Sequence, residues 1–475
     1  MAMLHSPIKH QSSSSPLAIL FLISSSLCVG YLFSSVFLFR SFHSPQTQTD
    51  ASASSPLSLH QIVFGIASNQ NSWPARKDYV RLWWKPNLMR GCVFVDQLPP
   101  DDPQNSNDDA SSLPALCISG DTSGFRYTYR NGYRSAIRVA RVVLETIAAG
   151  HSNVRWYVFG DDDTLFFPEN LVKTLSKYDH NLWYYVGSNS ETYTQNRVFD
   201  FEMGFGGAGF AITQSLAESL RKVFDSCLER YPHLYGSDSR VQYCVAELGV
   251  KLTHEAGFHQ VDLKGNIFGL LAAHPVTPLV SLHHLDHIDP IFPNMTTKEA
   301  LRHLFESVEV DPQRVVQQSV CYDRWFSWTI SVSWGYAVEI FERHVFLPDA
   351  TRPRRTFFPW AKDLKVETGS FSFNTWEMDA DPCRRPTVFY FDRASSDWDG
   401  LIKSTYKKDF VNCSFGPSSP KRLEEVRVLS RKLDQSVKQL LAPRRQCCDV
   451  LPSTAGEAID IAIRDCKEAE LIHMH

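Results

Sequence analysis

The chain has 475 residues, 43% of them hydrophobic and 12% aromatic, with a formal net charge of -4. That length allows one large or two medium domains with a real core. The composition excludes a disordered chain, and the near-balanced charge gives no electrostatic footprint for nucleic acid.

Residues 1–16 read as a short cytoplasmic tail. Leu17 to Phe39 carries no charge, and about 23 such residues span a hydrocarbon core of about 30 Å. The run exceeds the apolar region of a cleaved signal peptide, so 17–39 is expected to be an uncleaved transmembrane anchor. A small-residue cleavage site near Ser34-Ser35 is the competing reading. Lys9 and Arg40 flank the span and set its orientation only weakly. The folded mass follows it, which predicts a single-pass type II membrane protein with a lumenal remainder. Residues 40–59, rich in Ser, Thr, Gln and Pro, form a flexible stem. Of eleven cysteines, Cys28 lies in the span and ten follow, an even number that permits disulfides in an oxidising lumen. The adjacent Cys447 and Cys448 are expected to split between two bridges. Asn294-Met295-Thr296 and Asn412-Cys413-Ser414 are N-glycosylation sequons.

A first strand is predicted over Gln61–Ala67, then a helix opened by Pro74 with Tyr79, Val80, Leu82 and Trp83 on its apolar side. Gly91 to Asp96 reads as a second strand ending in an acid. Pro99 to Pro114 is an acidic loop. Residues 132–149 carry Ile137, Ala140, Val143, Leu144 and Ile147 at helical spacing. The strand Arg155-Trp156-Tyr157-Val158-Phe159-Gly160 then ends in Asp161-Asp162-Asp163. A helix from Pro168 to Lys177 and a strand over Tyr184–Gly187 follow. Strands alternating with helices imply an α/β sheet with ligands at strand ends.

Three adjacent carboxylates repel and cannot be buried cheaply without a cation. Set between apolar runs, the triple acid is expected to hold a divalent metal through oxygen ligands; a solvated acidic turn is the plain alternative. Gly204 to Phe210 is a glycine-rich loop without phosphate-loop spacing, suited to close passage of backbone beside a ligand. Asp238 falls at a helix start, where a carboxylate is also favoured as a cap. Ser281-Leu282-His283-His284-Leu285-Asp286-His287 offers imidazoles, which suit manganese beside carboxylates. Glu255 to Gln260 has no assignable role.

Beyond about residue 320 the chain turns β-rich. Trp328–Ile340 alternates as a strand does, and Ser370–Phe373 and Thr387–Phe391 extend this section. Residues 421–441 read as a charged helical tail.

The order of strand, triple Asp, glycine loop, Ser-Asp and Ser-Leu-His-His resembles the Fringe-like β-1,3-glycosyltransferases, most closely their plant Fringe-related branch. Further matches are Arg230-Tyr231-Pro232-His233-Leu234-Tyr235-Gly236-Ser237-Asp238, Gly257-Phe258-His259-Gln260 and Ser331-Val332-Ser333-Trp334-Gly335-Tyr336. The resemblance covers roughly residues 60 to 395. It implies an α/β fold of the GT-A type, with a mixed sheet flanked by helices, over residues 60–320, ahead of the β-rich extension already read over 321–475. It further implies a Golgi membrane enzyme that uses Mn2+ or another divalent cation, a UDP-sugar donor and a glycan or glycoprotein acceptor. By matched position, Asp161, Asp163 and His283 would hold the metal, with His284 the neighbouring alternative. Asp161, Asp162, Arg76, Asp96 and Gly207 would bind the donor, and Asp238 would be the catalytic base. Three departures stand out: one acid in Ser237-Asp238 where the family has a pair, Ala208 inside the glycine run, and Asn374-Thr375-Trp376-Glu377. They leave a competing reading, a lumenal carbohydrate-binding or scaffold protein that has lost turnover.

Overall fold

The apolar run after residue 60 becomes the strand β1 (Ile62–Ala67), every residue of which is buried. The computed structural model describes residues 56–100, 112–360, 369–452 and 456–474. The expected tail, anchor and nearly all of the stem lie outside the described residues, as does most of the acidic loop. Among the described residues no helix is long and apolar enough to cross a membrane. Leu57 to His475 form one compact unit.

The first sheet contains β1, β2 (Arg90–Val95), β3 (Ala115–Ile118), β4 (Trp156–Asp161), β6 (Tyr185–Gly187), β7 (Phe210–Thr213) and β8 (Leu252–His254), while β5 (Leu165–Phe166) lies outside it. Its order is β3-β2-β1-β4-β7-β6-β8. The first four run parallel, and β7 is antiparallel to both β4 and β6, so the sheet is mixed. Along β4, Trp156 and Val158 pack into one core layer, Tyr157 and Phe159 into the other. Both faces are covered, which is why the strand reads as an unbroken apolar run. From β1 the chain moves outward to β2 and β3, then returns on the other side of β1 as β4. Strand order therefore reverses between β1 and β4, and the crevice at their carboxyl ends is the expected ligand position in such a sheet. Ala67 pairs with Asp161 there.

A smaller sheet joins β5, β9 (Phe258–His259) and β11 (Ser281–Leu282). In it Leu282 lies between Leu165 and His259. That register delivers the residue after Leu282 to the turn that precedes Leu165. The strand β10 (Leu263–Gly265) pairs with β16 (Phe357–Pro359), and β15 (Arg354–Arg355) with β17 (Trp376–Glu377).

The remaining strands are β12 (Gln318–Asp323), β13 (Trp328–Ser333), β14 (Ala337–Phe341), β18 (Thr387–Ser396), β19 (Leu401–Lys408), β20 (Glu425–Arg431), β21 (Cys447–Leu451) and β22 (Ala458–Arg464). They form one sheet in the order β12-β13-β14-β18-β19-β20-β22-β21. Its end strands β12 and β21 are joined by the Cys321–Cys448 disulfide, with Cα atoms 5.4 Å apart. The sheet therefore curls until its two ends meet, as a closing barrel does.

Three expectations are corrected. Trp328–Ile340 is two strands, folded back at Trp334-Gly335-Tyr336 with Gly335 at φ 73°. The helix expected over 421–441 is replaced at its centre by the strand β20, and α-helix is confined to Val437–Leu441. In β20, Val426, Val428 and Ser430 point inward between exposed or half-buried neighbours, a period of two hidden beneath a charged composition. Ser370–Phe373 forms no strand; Phe371 makes one isolated bridge to Thr192 and packs against Phe357. All ten cysteines after the apolar span are paired, and Cys447 and Cys448 divide between Cys466 and Cys321. Asn294 and Asn412 are both exposed.

Candidate metal and donor site

The triple acid sits in a tight turn at the end of β4. The Asp161 amide donates to Thr164 Oγ1 at 2.8 Å, and that hydroxyl donates to the Gly207 carbonyl at 2.8 Å. One threonine thus ties the acidic turn to the glycine loop.

The three carboxylates have separate surroundings. Asp162 is buried and accepts from Ser68 Oγ at 2.6 Å, Ser72 Oγ at 2.5 Å and Arg76 Nη1 at 3.0 Å. Ser68 follows β1, and Ser72 precedes the helix Trp73–Trp83 that carries Arg76. Asp162 therefore locks these elements together. Asp163 is 2% exposed; its Oδ2 lies 3.1 Å from Arg76 Nη2 and its Oδ1 3.1 Å from His283 Nε2. Asp161 keeps 38% of its side-chain surface open, with Oδ2 3.8 Å from the same imidazole nitrogen.

His283, 3% exposed, follows β11 directly. Its Nδ1 faces the Gln260 carbonyl at 3.2 Å, so Nδ1 carries hydrogen and Nε2 is aimed at the acids. Asp163 Oδ1 is buried without a well-formed hydrogen bond. The ligand atoms of Asp161, Asp163 and His283 lie within 4.8 Å of one another. Two hard oxygens, an imidazole nitrogen and an orphaned buried oxygen fit a divalent cation. Burial disfavours charge on His283, but Asp163 and Asp161 outweigh it and lift the imidazole to about 9. Burial also works against the Asp163 anion, yet His283 and Arg76 hold this carboxyl below the usual carboxylate range. Burial pushes the Asp161 carboxyl up to about 7; His283 opposes this, and the neighbouring carboxylates reinforce it. Although most of its surroundings are protein, Asp161 stays open enough to meet a ligand in the crevice.

Asp238 does not act as a helix cap. The helix Ser237–Glu247 is capped at Gly236 without a side-chain bond, and Asp238 is its second residue. The carboxylate accepts from Ser237 Oγ at 2.9 Å. Burial raises its pKa, partly offset by hydrogen bonds from the Gly206 backbone and Ser237. Gly206 and Gly207 press on two different functional groups. A β-carbon on Gly206 would come within 2.7 Å of Asp238 Oδ1, and one on Gly207 within 2.1 Å of His283 Cε1.

Asp161, Asp162, Arg76 and Asp96 all line one cleft of about 500 Å³, with Ser68, Arg138, Tyr235 and Ser237. Asp96 Oδ1 also accepts from the Gln70 amide at 2.9 Å. Gly207 lies instead against His283, and Arg76 is turned to the acids, with Asp286 3.7 Å from its Nε. His284 packs on His283 with ring centroids 3.8 Å apart but turns away from the acids: at φ 55° it leaves the strand, faces Asp262 Oδ1 at 3.3 Å and stacks on Trp360 at 4.4 Å. Sequence reasoning missed Ser68, Ser72, Gln260 and Arg138, which donates to the Ser68 carbonyl at 2.7 Å. Gln260 also accepts from the Ala208 amide at 2.7 Å, so the segment without an assigned role is a brace for the glycine loop.

Residues 195–448, over half of the chain, match the family described as "Protein of unknown function, DUF604", and the chain belongs to that family. The matched stretch carries Asp238 and His283; the triple acid precedes it. Over 144 residues the chain is 30% identical to a beta-1,3-glucosyltransferase of Mus musculus, a match that covers 30% of this chain and 27% of that protein. Among solved structures, the mannosyltransferase PcManGT from Pyrobaculum calidifontis, in complex with GDP-Man and Mn2+, overlays at TM-score 0.28 and 13% identity, over 42% of this chain and 55% of its own. The galactosyltransferase LgtC, with donor and acceptor sugar analogs, overlays at TM-score 0.30 and 12% identity, over 51% and 94%. Both overlays are slight, and the fold is read from its own strand order.

Proposed function

We propose that the chain is a metal-dependent inverting glycosyltransferase of the Fringe-like, GT-A type. It moves a sugar from a UDP-sugar to a hydroxyl of a glycan or glycoprotein acceptor, forming a β-1,3 linkage. Its place is the Golgi lumen, as a single-pass type II membrane protein. The observation that carries this reading is the cluster of Asp161, Asp163 and His283 around the orphaned Asp163 Oδ1, at the carboxyl ends of β1 and β4. The partial likeness to a beta-1,3-glucosyltransferase supports it.

Bound at Asp161, Asp163 and His283, Mn2+ or another divalent cation would supply positive charge that neutralises a diphosphate leaving group. The chain's own residues do the rest. Arg76, held by Asp162 and Asp163, fixes the acidic turn against the helix Trp73–Trp83. Gln260 keeps the His283 ring in one orientation. Asp238 takes the proton of the acceptor hydroxyl as its oxygen bonds to the anomeric carbon and the bond from that carbon to the diphosphate breaks. Burial raises the basicity of Asp238. Attack from the side opposite the leaving group inverts the anomeric centre.

Incubating the purified full chain with a panel of UDP-sugars, with Mn2+ and with chelator, tests the proposal. Turnover of one donor that needs the cation is expected. No turnover of any donor under either condition would remove it.

A further inference from the structure

Beside the candidate base the surface turns aromatic. Tyr235 lines the donor cleft with Asp161 and Ser237 and remains 39% exposed. Its ring centroid lies 5.2 Å from Tyr129 and 6.1 Å from Phe199. Phe199 is 6.2 Å from Phe205, the neighbour of the Gly206 that touches Asp238. On the same segment Tyr193 and Phe201 pair at 5.5 Å. Tyr129, Tyr193 and Phe201 are each 44–46% exposed.

The backbone beneath these rings is fixed. Tyr127 OH donates to the Tyr235 carbonyl at 3.0 Å, and the Thr128 amide to the Pro232 carbonyl at 2.8 Å. The fully buried Arg240 donates to the carbonyls of Gly236 and Leu234, both at 2.7 Å. On the other segment, Asn189 Nδ2 donates to the Phe201 carbonyl at 3.3 Å and the Phe205 amide to the Ser188 carbonyl at 3.1 Å. Exposed rings on a braced backbone lose little entropy when they bind.

From this geometry we infer that the strip of Tyr129, Tyr235, Phe199, Tyr193 and Phe201 is the acceptor platform, and that it takes a neutral oligosaccharide. The inference rests on the transferase reading for its role, and on the rings alone for its ligand class. Pyranose rings have an apolar C–H face that rests on the electron-rich face of an aromatic ring. Tyr129 and Phe199 are inclined to Tyr235 by 66° and 34°. Such a surface suits puckered sugars in succession better than one flat aglycone. On these segments Arg126, Arg130 and Arg197 stand against Asp200 and Glu202, and Arg134 is taken up by the carbonyls of Thr122, Ser123 and Phe125, so the charges nearly cancel and the rings outweigh any cationic cluster in choosing the ligand. A sugar stacked beside Tyr235 has its hydroxyls next to Ser237 and Asp238.

The experiment uses the full chain in detergent on immobilised neutral, sialylated and sulfated oligosaccharides, with hydrolysis of UDP-sugars measured on the same preparation. Neutral oligosaccharides are expected to bind. Tyr129→Ala and Phe201→Ala should each weaken binding about tenfold, while Tyr129→Phe and Phe201→Trp restore it. Rescue by a ring separates stacking from misfolding. No binding, selective binding of charged glycans, or alanine variants that bind like the parent chain would each overturn the platform. Glycan binding without donor hydrolysis would keep the platform and remove the transferase reading. Donor hydrolysis without glycan binding would do the reverse.

Discussion

Gly207 and His283 are in direct contact: a β-carbon on Gly207 would lie 2.1 Å from His283 Cε1. A methyl there must displace the ring from Asp163, since the Gln260 carbonyl holds its other nitrogen. Gly207→Ala is therefore expected to weaken Mn2+ binding by about 10–100-fold, the usual cost of disturbing a ligand's orientation. A Mn2+ titration by electron paramagnetic resonance reads this directly. Unchanged affinity would show that His283 is not a ligand.

Asp238 and the metal cluster should separate cleanly in their effects. Replacing a general base typically costs about 10²–10⁴-fold, so Asp238→Asn should lower kcat for transfer by that order while Mn2+ still binds. The check is steady-state kinetics beside the same titration. Full transfer by the variant would move the base elsewhere.

A buried chain of imidazoles sets an acid limit on stability. His274 Nδ1 donates to the Pro275 carbonyl at 2.8 Å, leaving its Nε2 to face His259 Nε2 at 3.0 Å. His259 in turn faces Glu191 at 3.1 Å. Burial, then repulsion from His259 and Arg445, holds His274 well below its ordinary 6.5. A folded-state value below the unfolded one means stability is present above pH 6.5 and drains away as pH falls below it. One such proton costs up to about 1.4 kcal/mol per pH unit. Thermal unfolding at several pH values should show a shallower acid loss in His274→Gln than in the parent chain.

The Cys321–Cys448 bridge joins the two end strands of the large sheet, β12 and β21, across 127 residues. Losing a native disulfide typically costs about 2–5 kcal/mol, and here it would also free the sheet's closing edge. Cys321→Ser with Cys448→Ser should lower the unfolding free energy by that order, read by equilibrium denaturation without reductant. Cys447–Cys466 should survive on peptide mapping, because the adjacent cysteines serve different partners.

Features carried by short runs were legible before any coordinates. The apolar strand ending at Asp161 and the carboxylate at the start of the Ser237–Glu247 helix each declare themselves within a few residues. The Ser281–His287 run declares its imidazoles in the same way, but only the family resemblance singled out His283 over His284. What escaped depends on long-range contact. Ser68 and Asp162 are 94 positions apart, and nothing local marks that serine as the acid's partner. Gln260 became meaningful only when β9 and β11 aligned beside β5. In β20 a period-two pattern lay under a charged composition that imitates a solvated helix. The hairpin at Gly335 was read through because both of its strands are buried on both faces. The aromatic strip draws its rings from three separate segments, so no single window contains it.

On the proposed reading, Asp161, Asp163 and His283 hold the cation on which donor turnover depends. The most direct measurement is the Mn2+ activation curve for UDP-sugar turnover in the parent chain, Asp163→Ala and His283→Ala. Both variants are expected to need far more Mn2+ or to lose turnover altogether, with chelator abolishing activity in the parent chain. Activation curves that superimpose on the parent's, or turnover that chelator leaves intact, would contradict it.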